Sequence, residues 1–289
     1  MKRFGDRENA FWMTSILYIC YLCSLPSLGE NFYWLAGGVT YQLGIVFLLL
    51  WLSLRSFFWG FLFVPLLVGM NEMLMILVLL VLVFRFFFSE EKKYKTICLL
   101  VLALCCCVTV VSAPGNELRL SYFSGNKSFF TTIWKSSAYL FRYLVEQLSH
   151  LELWGALFLL IPQLEKYHSK LNYRLMIVGG VAVLFLLFAP SFWSMNAPPP
   201  ARAYALLCLV FFFFFFVHGA CFLSQFFKFD HKKLGFFFFI VGFWASSNTQ
   251  NVYYDSIKVL SYQAQYNNRL AILDGCSEVC YVDPICPSS

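Results

Sequence analysis

The chain has 289 residues, of which 60% are hydrophobic, 20% aromatic and only 12% charged, with a formal net charge of +6. Soluble domains carry about 25% charged residues, so a soluble globular fold with a single packed core is excluded. The positive excess is no nucleic-acid footprint either, because the lysines and arginines are scattered through short loops between apolar segments, where they report membrane orientation.

About 20 apolar residues cross the hydrocarbon core of a bilayer, and apolar segments recur along this whole chain. Expected spans, in order, are 11–28, 39–54, 57–70, 73–88, 96–112, 150–163, 175–190, 204–225 and 234–250. The fold class they define is all-α, a polytopic transmembrane helix bundle of about nine spans over residues 1–250, followed by an extracytoplasmic tail, 251–289. Lys2 and Arg3 precede the first segment, but Asp6 and Glu8 spoil the basic start of a cleavable signal and no small-residue site closes the run. The first helix is therefore expected to stay.

Residues 57–88 carry only Glu72 and Arg85 as charges. A single helix of that length would measure about 48 Å, against a core of about 30 Å. A hairpin turning at Asn71 and Glu72 resolves the excess, and it also separates the cations. One side then holds Lys2, Arg3, Arg7, Arg55, Arg85, Lys92, Lys93, Lys95, Lys166, Lys170, Arg174, Lys228, Lys232 and Lys233, while Arg119, Lys127, Lys135, Arg142, Arg202, Lys258 and Arg269 face the other. Because cytoplasmic loops hold the excess, the N-terminus is expected in the cytoplasm and the C-terminus outside.

Between the fifth and sixth spans, residues 129–149 interleave Trp134, Tyr139, Phe141 and Tyr143 with Lys135 and Arg142. This pattern suits an interfacial helix over the outer leaflet. The phenylalanine runs Phe211 to Phe216 and Phe236 to Phe239 cover every helix face and read as lipid-facing or bundle-buried surface. Eight of the eleven cysteines lie inside apolar segments, where they pack as small hydrophobes. Cys276, Cys280 and Cys286 alone sit in a polar stretch, and with three of them at most one disulfide forms there and one thiol is left over. His150, His168, His218 and His231 stand isolated, with no metal-site spacing.

With this topology five polar segments meet at the extracytoplasmic surface: 29–38, 69–72, 112–119, 194–202 and 246–255. They combine Gly, Pro and Asn with acids or arginines, a composition of firmly turned polar loops that suits a lined cavity. Within them, Trp34-x-x-Gly37-x-x-x-Tyr41-x-x-Gly44, the hairpin pair Asn71-Glu72, Pro114-Gly115-Asn116-x-x-Arg119 and the Pro-x-Arg-Ala segment Pro200 to Ala203 resemble a bacterial domain-of-unknown-function family of multi-pass membrane proteins. The tail, from Tyr262 through Arg269 and Ile272 to Gly275 and Val279–Ile285, is similar to that family's extracytoplasmic C-terminal segment. The family in turn resembles the GT-C superfamily of glycosyltransferases, which take sugars from polyprenyl-phosphate carriers at the outer membrane face. The likeness covers nearly the whole chain. It implies a GT-C-like bundle, a polyprenyl-phosphate-linked sugar as partner and a role in surface polysaccharide or glycan assembly. It also implies a catalytic acid in the first extracytoplasmic loop and further chain ahead of the Trp-x-x-Gly loop. Here that loop follows the first span directly, so the resemblance implies either that the chain begins internally, as a fragment or from an alternative start, or that Glu30 substitutes for the acid.

Transfer from a lipid phosphate needs a carboxylate, to deprotonate an acceptor hydroxyl or hold a divalent cation, and cations to stabilise the departing phosphate. Glu72 and Glu30 are the catalytic candidates. Arg119 and Arg202 are the phosphate-binding candidates, through their bidentate forks, flanked by Asn71 and Asn116. Trp34 and Tyr41 would stack on a sugar ring. Each has an alternative that the sequence leaves open: interfacial snorkelling for the arginines, the aromatic belt for Trp34 and Tyr41, and a helix cap or structural ion pair for Glu72. A transporter or flippase for a lipid-linked or polar substrate would use the same intramembrane polar residues for passage, and a non-enzymatic membrane subunit would leave them unconverged.

Overall fold

A computed structural model describes residues 2–28, 31–32, 35, 38–54, 56–88, 93–113, 128–164, 173–226 and 231–253. The regular elements among them are all helical, as the apolar composition demands, because a backbone in lipid must satisfy its own hydrogen bonds. They are α1 (Lys2–Ser24), a π turn (Gly38–Leu43), α2 (Gly44–Leu54), α3 (Phe57–Met70), α4 (Glu72–Phe88), α5 (Lys93–Val111), α6 (Phe129–Ser149), α7 (Leu151–Leu164), α8 (Tyr173–Met195), a 3-10 turn (Ala201–Ala203), α9 (Tyr204–Phe226) and α10 (His231–Ala245). Each of the nine expected segments is helical. The expected tail begins with a last helical turn that reaches Tyr253, and residues 254–289 lie outside the described residues.

Among the described residues, three helices are long and apolar enough to cross a membrane: Lys93–Val111, Ile177–Met195 and Ala201–Gly219. The pair Phe129–Ser149 and Leu151–Pro162, bent by 66°, makes a fourth if read as one span. The exterior fits this reading. Phe58, Phe87, Val108, Val178 and Phe237 are exposed on helix faces, an apolar outer surface that lipid solvates and water does not.

The hairpin at 57–88 is present. Asn71 is extended (φ −163°, ψ 163°), and α3 and α4 pack on each other across it. Asn71 Oδ1 accepts from Leu74 N at 2.9 Å, the bond that an N-cap makes to the first turn. With α2 and α5, these helices form one group of the bundle, in which Gly60 lets Leu99 of α5 sit against the α3 backbone.

The second group is α6 to α10, with α1 packed against α7 and α9. At the α7–α10 crossing the backbones nearly touch: a Cβ on Gly242 would strike the Glu152 backbone, and one on Gly155 would strike that of Phe239. Small residues allow such approaches between helices in lipid, where close packing replaces the hydrophobic effect as the cause of association.

Residues 129–149, expected as an interfacial helix, do form a helix, and one face of it packs on other helices of the bundle. Lys135 Nζ donates to Asn196 Oδ1 at 2.7 Å, Tyr139 meets Phe192 at 5.0 Å between ring centroids, and Tyr143 meets Phe188 at 5.7 Å. Steps of four residues forward on α6 match steps of four backward on α8, so the two helices run antiparallel. The amphipathic face of α6 buries Thr132, Ser136, Leu140, Tyr143 and Gln147 inside the bundle.

Candidate functional site

The polar side chains of the bundle gather towards one end, where α1 stops. Pro26 follows Ser24 and Leu25, and the last carbonyls of a helix have no partners within it. In a lipid-solvated bundle water cannot serve them, so other helices do. Asn248 Nδ2 lies 2.8 Å from Leu22 O, 3.3 Å from Cys23 O and 2.5 Å from Leu25 O. Ser24 O accepts from Gln147 Nε2 at 3.4 Å and from the Cys208 thiol at 3.6 Å. Tyr143 OH donates to Cys208 Sγ at 3.6 Å. Side chains of α6, α9 and the turn after α10 thus cap α1 jointly. Two buried atoms of this layer, Ser24 Oγ and Gln147 Oε1, have no protein partner.

A second hydrogen-bonded chain ties together segments that carry predicted site residues. Asn71 Nδ2 donates to Thr40 O at 2.7 Å, which docks the α3–α4 turn on the π turn. From the same π turn, Gln42 Nε2 donates to Asn31 Oδ1 at 3.3 Å and Gln42 Oε1 accepts from Tyr21 OH at 2.9 Å. Buried Asn31 in turn donates to Ser27 O at 2.6 Å and reaches Ala201 O at 3.5 Å. The Glu72 turn and the Arg202 turn are therefore anchored on one element.

Of the predicted site residues, Glu72 is half-buried in the first turn of α4, where the helix dipole favours a carboxylate. Asn71 spends both ends of its amide on structure, one capping α4 and the other holding the π turn. Tyr41 is half-buried against the core, and Arg202 is half-buried between Ala201 and Ala203. Glu30, Trp34, Asn116 and Arg119 lie outside the described residues. No group of three or more His, Cys, Asp or Glu among the described residues is placed to hold a metal ion.

One acidic site escaped the sequence reading. Glu152 is 2% exposed in the first turn of α7, and its Oε1 lies 2.8 Å from His150 Nδ1, at the break between α6 and α7. Cys20 of α1 donates its thiol to Glu152 O at 3.6 Å, and Gly242 of α10 closes the other side. A carboxylate and an imidazole two residues apart cannot meet along a regular helix, since i and i+2 do not face each other. The interruption at His150 permits the pair, and the sequence signal was a lone acid beside a histidine at the start of an apolar run.

The sequence matches no protein-family model, no curated protein and no solved structure.

Proposed function

We propose that this chain is a multi-pass membrane protein of about nine spans that handles a polyprenyl-phosphate-linked sugar at the extracytoplasmic face, in the manner of a GT-C-like glycosyltransferase. Its N-terminus is cytoplasmic and its C-terminus extracytoplasmic. One observation carries the reading: the turn bearing Glu72 and the turn bearing Arg202 are stitched to the same π turn through Asn71, Gln42 and Asn31. A carboxylate and a guanidinium brought to one end of a bundle are the pair that phosphate departure and hydroxyl deprotonation require. The test is turnover of a lipid-linked sugar in membrane vesicles. Glu72→Gln is expected to insert at wild-type level and lose turnover, and Arg202→Lys to reduce it through the lost bidentate geometry. Full turnover by well-inserted Glu72→Gln removes that carboxylate from the mechanism.

A second reading, a transporter or flippase, has its own support. Interrupted helices occur in both halves of the chain, at Asn71 and at His150, and the second interruption carries the buried Glu152–His150 pair. Discontinuous helices with ionisable residues at the break are a recurrent transporter device. Under this reading Glu152→Gln abolishes substrate movement across the vesicle membrane, while Glu72→Gln leaves it intact.

A further inference from the structure

His150 is the one residue between α6 and α7, extended at φ −72° and ψ 106°. Its backbone is fixed on both sides, since its N–H donates to Gln147 O at 3.3 Å and its carbonyl accepts from Leu153 N at 3.2 Å. The ring faces Glu152, which is 2% exposed, with Nδ1 2.8 Å from Oε1. Nδ1 is thereby occupied. Among the described residues Nε2 makes no hydrogen bond, yet it is not one of the buried side-chain atoms without a partner, which are Ser24 Oγ, Ser136 Oγ, Gln147 Oε1 and His218 Nε2. The ring is 21% exposed, so Nε2 is its accessible edge. No lysine or arginine among the described residues pairs with Glu152. The thiols of Cys20 and Cys23 on α1 lie close enough to feel its charge, and exposed Glu146 lies four residues before His150 on α6. From the other side α10 meets Glu152 with Gly242, and α9 meets α7 with Phe215 and Gly219.

A permanent cation would fix the charge of this site, whereas an imidazole lets one proton set it. With that proton bound the pair is neutral overall, either as carboxylate and imidazolium or as carboxylic acid and imidazole. Nε2 carries a hydrogen in both forms. Without the proton, the carboxylate keeps the Nδ1–H and Nε2 presents its lone pair, because the other tautomer sets a lone pair against an oxygen anion at 2.8 Å. The proton therefore enters and leaves at Nε2. We propose that the Glu152–His150 pair is a one-proton binding site at the break between α6 and α7, which exchanges with the surface through His150 Nε2 and leaves a net negative charge in the bundle when it empties. Ionisable residues inside a bundle and at helix breaks mark proton relays in membrane transporters. The inference rests on the transporter reading for its purpose: a site whose charge changes with one proton ties substrate passage to a proton gradient.

The experiment treats the purified full-length protein in liposomes with diethylpyrocarbonate, which acylates an imidazole nitrogen only through a free lone pair. Modification of His150 is followed by peptide mass spectrometry in mildly acidic and mildly alkaline buffer. Wild-type His150 is expected to react in the alkaline buffer and to be protected in the acidic one. Glu152→Gln is isosteric and still accepts from Nδ1–H, but it removes the charge that holds the proton, so His150 should react about tenfold faster or more in the acidic buffer. Glu152→Asp, which draws the charge back by one methylene, should fall between the two. A folded variant of either kind that reacts at the wild-type rate in acid overturns the proposal. So does a wild-type His150 that stays unmodified in the alkaline buffer or reacts equally in both. No substrate enters this assay, which separates it from the transport test: acid protection without substrate movement keeps the proton site and rejects the transporter reading.

Discussion

Asn248 faces three carbonyls at the end of α1 with an amide that carries two N–H groups, so at least one bond is shared. Removing that amide leaves buried carbonyls unsatisfied, each at a cost of about 1 to 3 kcal/mol. Asn248→Ala should therefore destabilise the protein by about 2 to 3 kcal/mol, read as a lower thermal unfolding midpoint in detergent. Asn248→Asp should be at least as damaging, since it sets acceptor oxygens against carbonyls; a midpoint equal to wild type for Asp would show that donation is not what Asn248 supplies. The sequence singled out Asn71 and passed over Asn248, although both are asparagines at helix boundaries. Asparagine chemistry is the same in a cap, a latch and a substrate site, and only the partner distinguishes them. The partners of Asn248 lie 223 to 226 residues away, beyond the reach of any local pattern. Glu152 was hidden for a related reason, as one acid barely lowers the hydropathy of α7, and the break that brings His150 onto it is a tertiary event.

At the level of elements, hydropathy located the helices well because lipid imposes one solution on every apolar segment. Asn71 and Glu72 marked the hairpin because a polar pair inside so long an apolar run has to lie at a turn. For α6 the same reasoning found the helix and left out its helix neighbours. Its apolar face repeats with helical period, yet period alone does not say whether a membrane surface or another helix covers that face. Ser136 and Gln147 on the buried face suit a helix neighbour better than acyl chains, and the Tyr139–Phe192 and Tyr143–Phe188 contacts supply it. The α7–α10 crossing offers a sharper test of packing. Gly242→Ala puts a methyl into the Glu152 backbone and should cost about 1 to 3 kcal/mol or more, whereas Gly69, in α3 with nothing within 4 Å of its would-be Cβ, should accept alanine. Replacing glycine in a helix interior should even stabilise by about 0.5 to 1 kcal/mol. Unfolding midpoints that move the same way for both variants would remove the close crossing as a source of stability.

Across the whole molecule, the cation distribution and the helix order make a joint prediction about sides. In a background without native cysteines, single cysteines at positions 93 and 232 should be protected from an impermeant reagent added to intact cells, and those at 128 and 198 should react. The bent pair α6–α7 counts as one crossing in this scheme, since α6 starts beside Asn196 at one end of α8 and α7 precedes the other end of α8 in the chain. Reaction at 93 would place α5 the other way round and part the Glu72 turn from the extracytoplasmic face.

The way α1 ends also bears on the order of assembly. A ribosome delivers this helix before α6, α9 and α10, and for most of synthesis Gln147, Cys208 and Asn248 do not yet exist beside it. Its final turn must therefore wait in the translocon or at the lipid headgroups with its carbonyls wet. Only when the residues after α10 emerge does the last donor arrive, so a helix made before the others that cap it is among the last to be completed. A nascent chain stopped before position 246 should hold α1 loosely, open to the cell's membrane quality control, and one extended past Tyr253 should close around it.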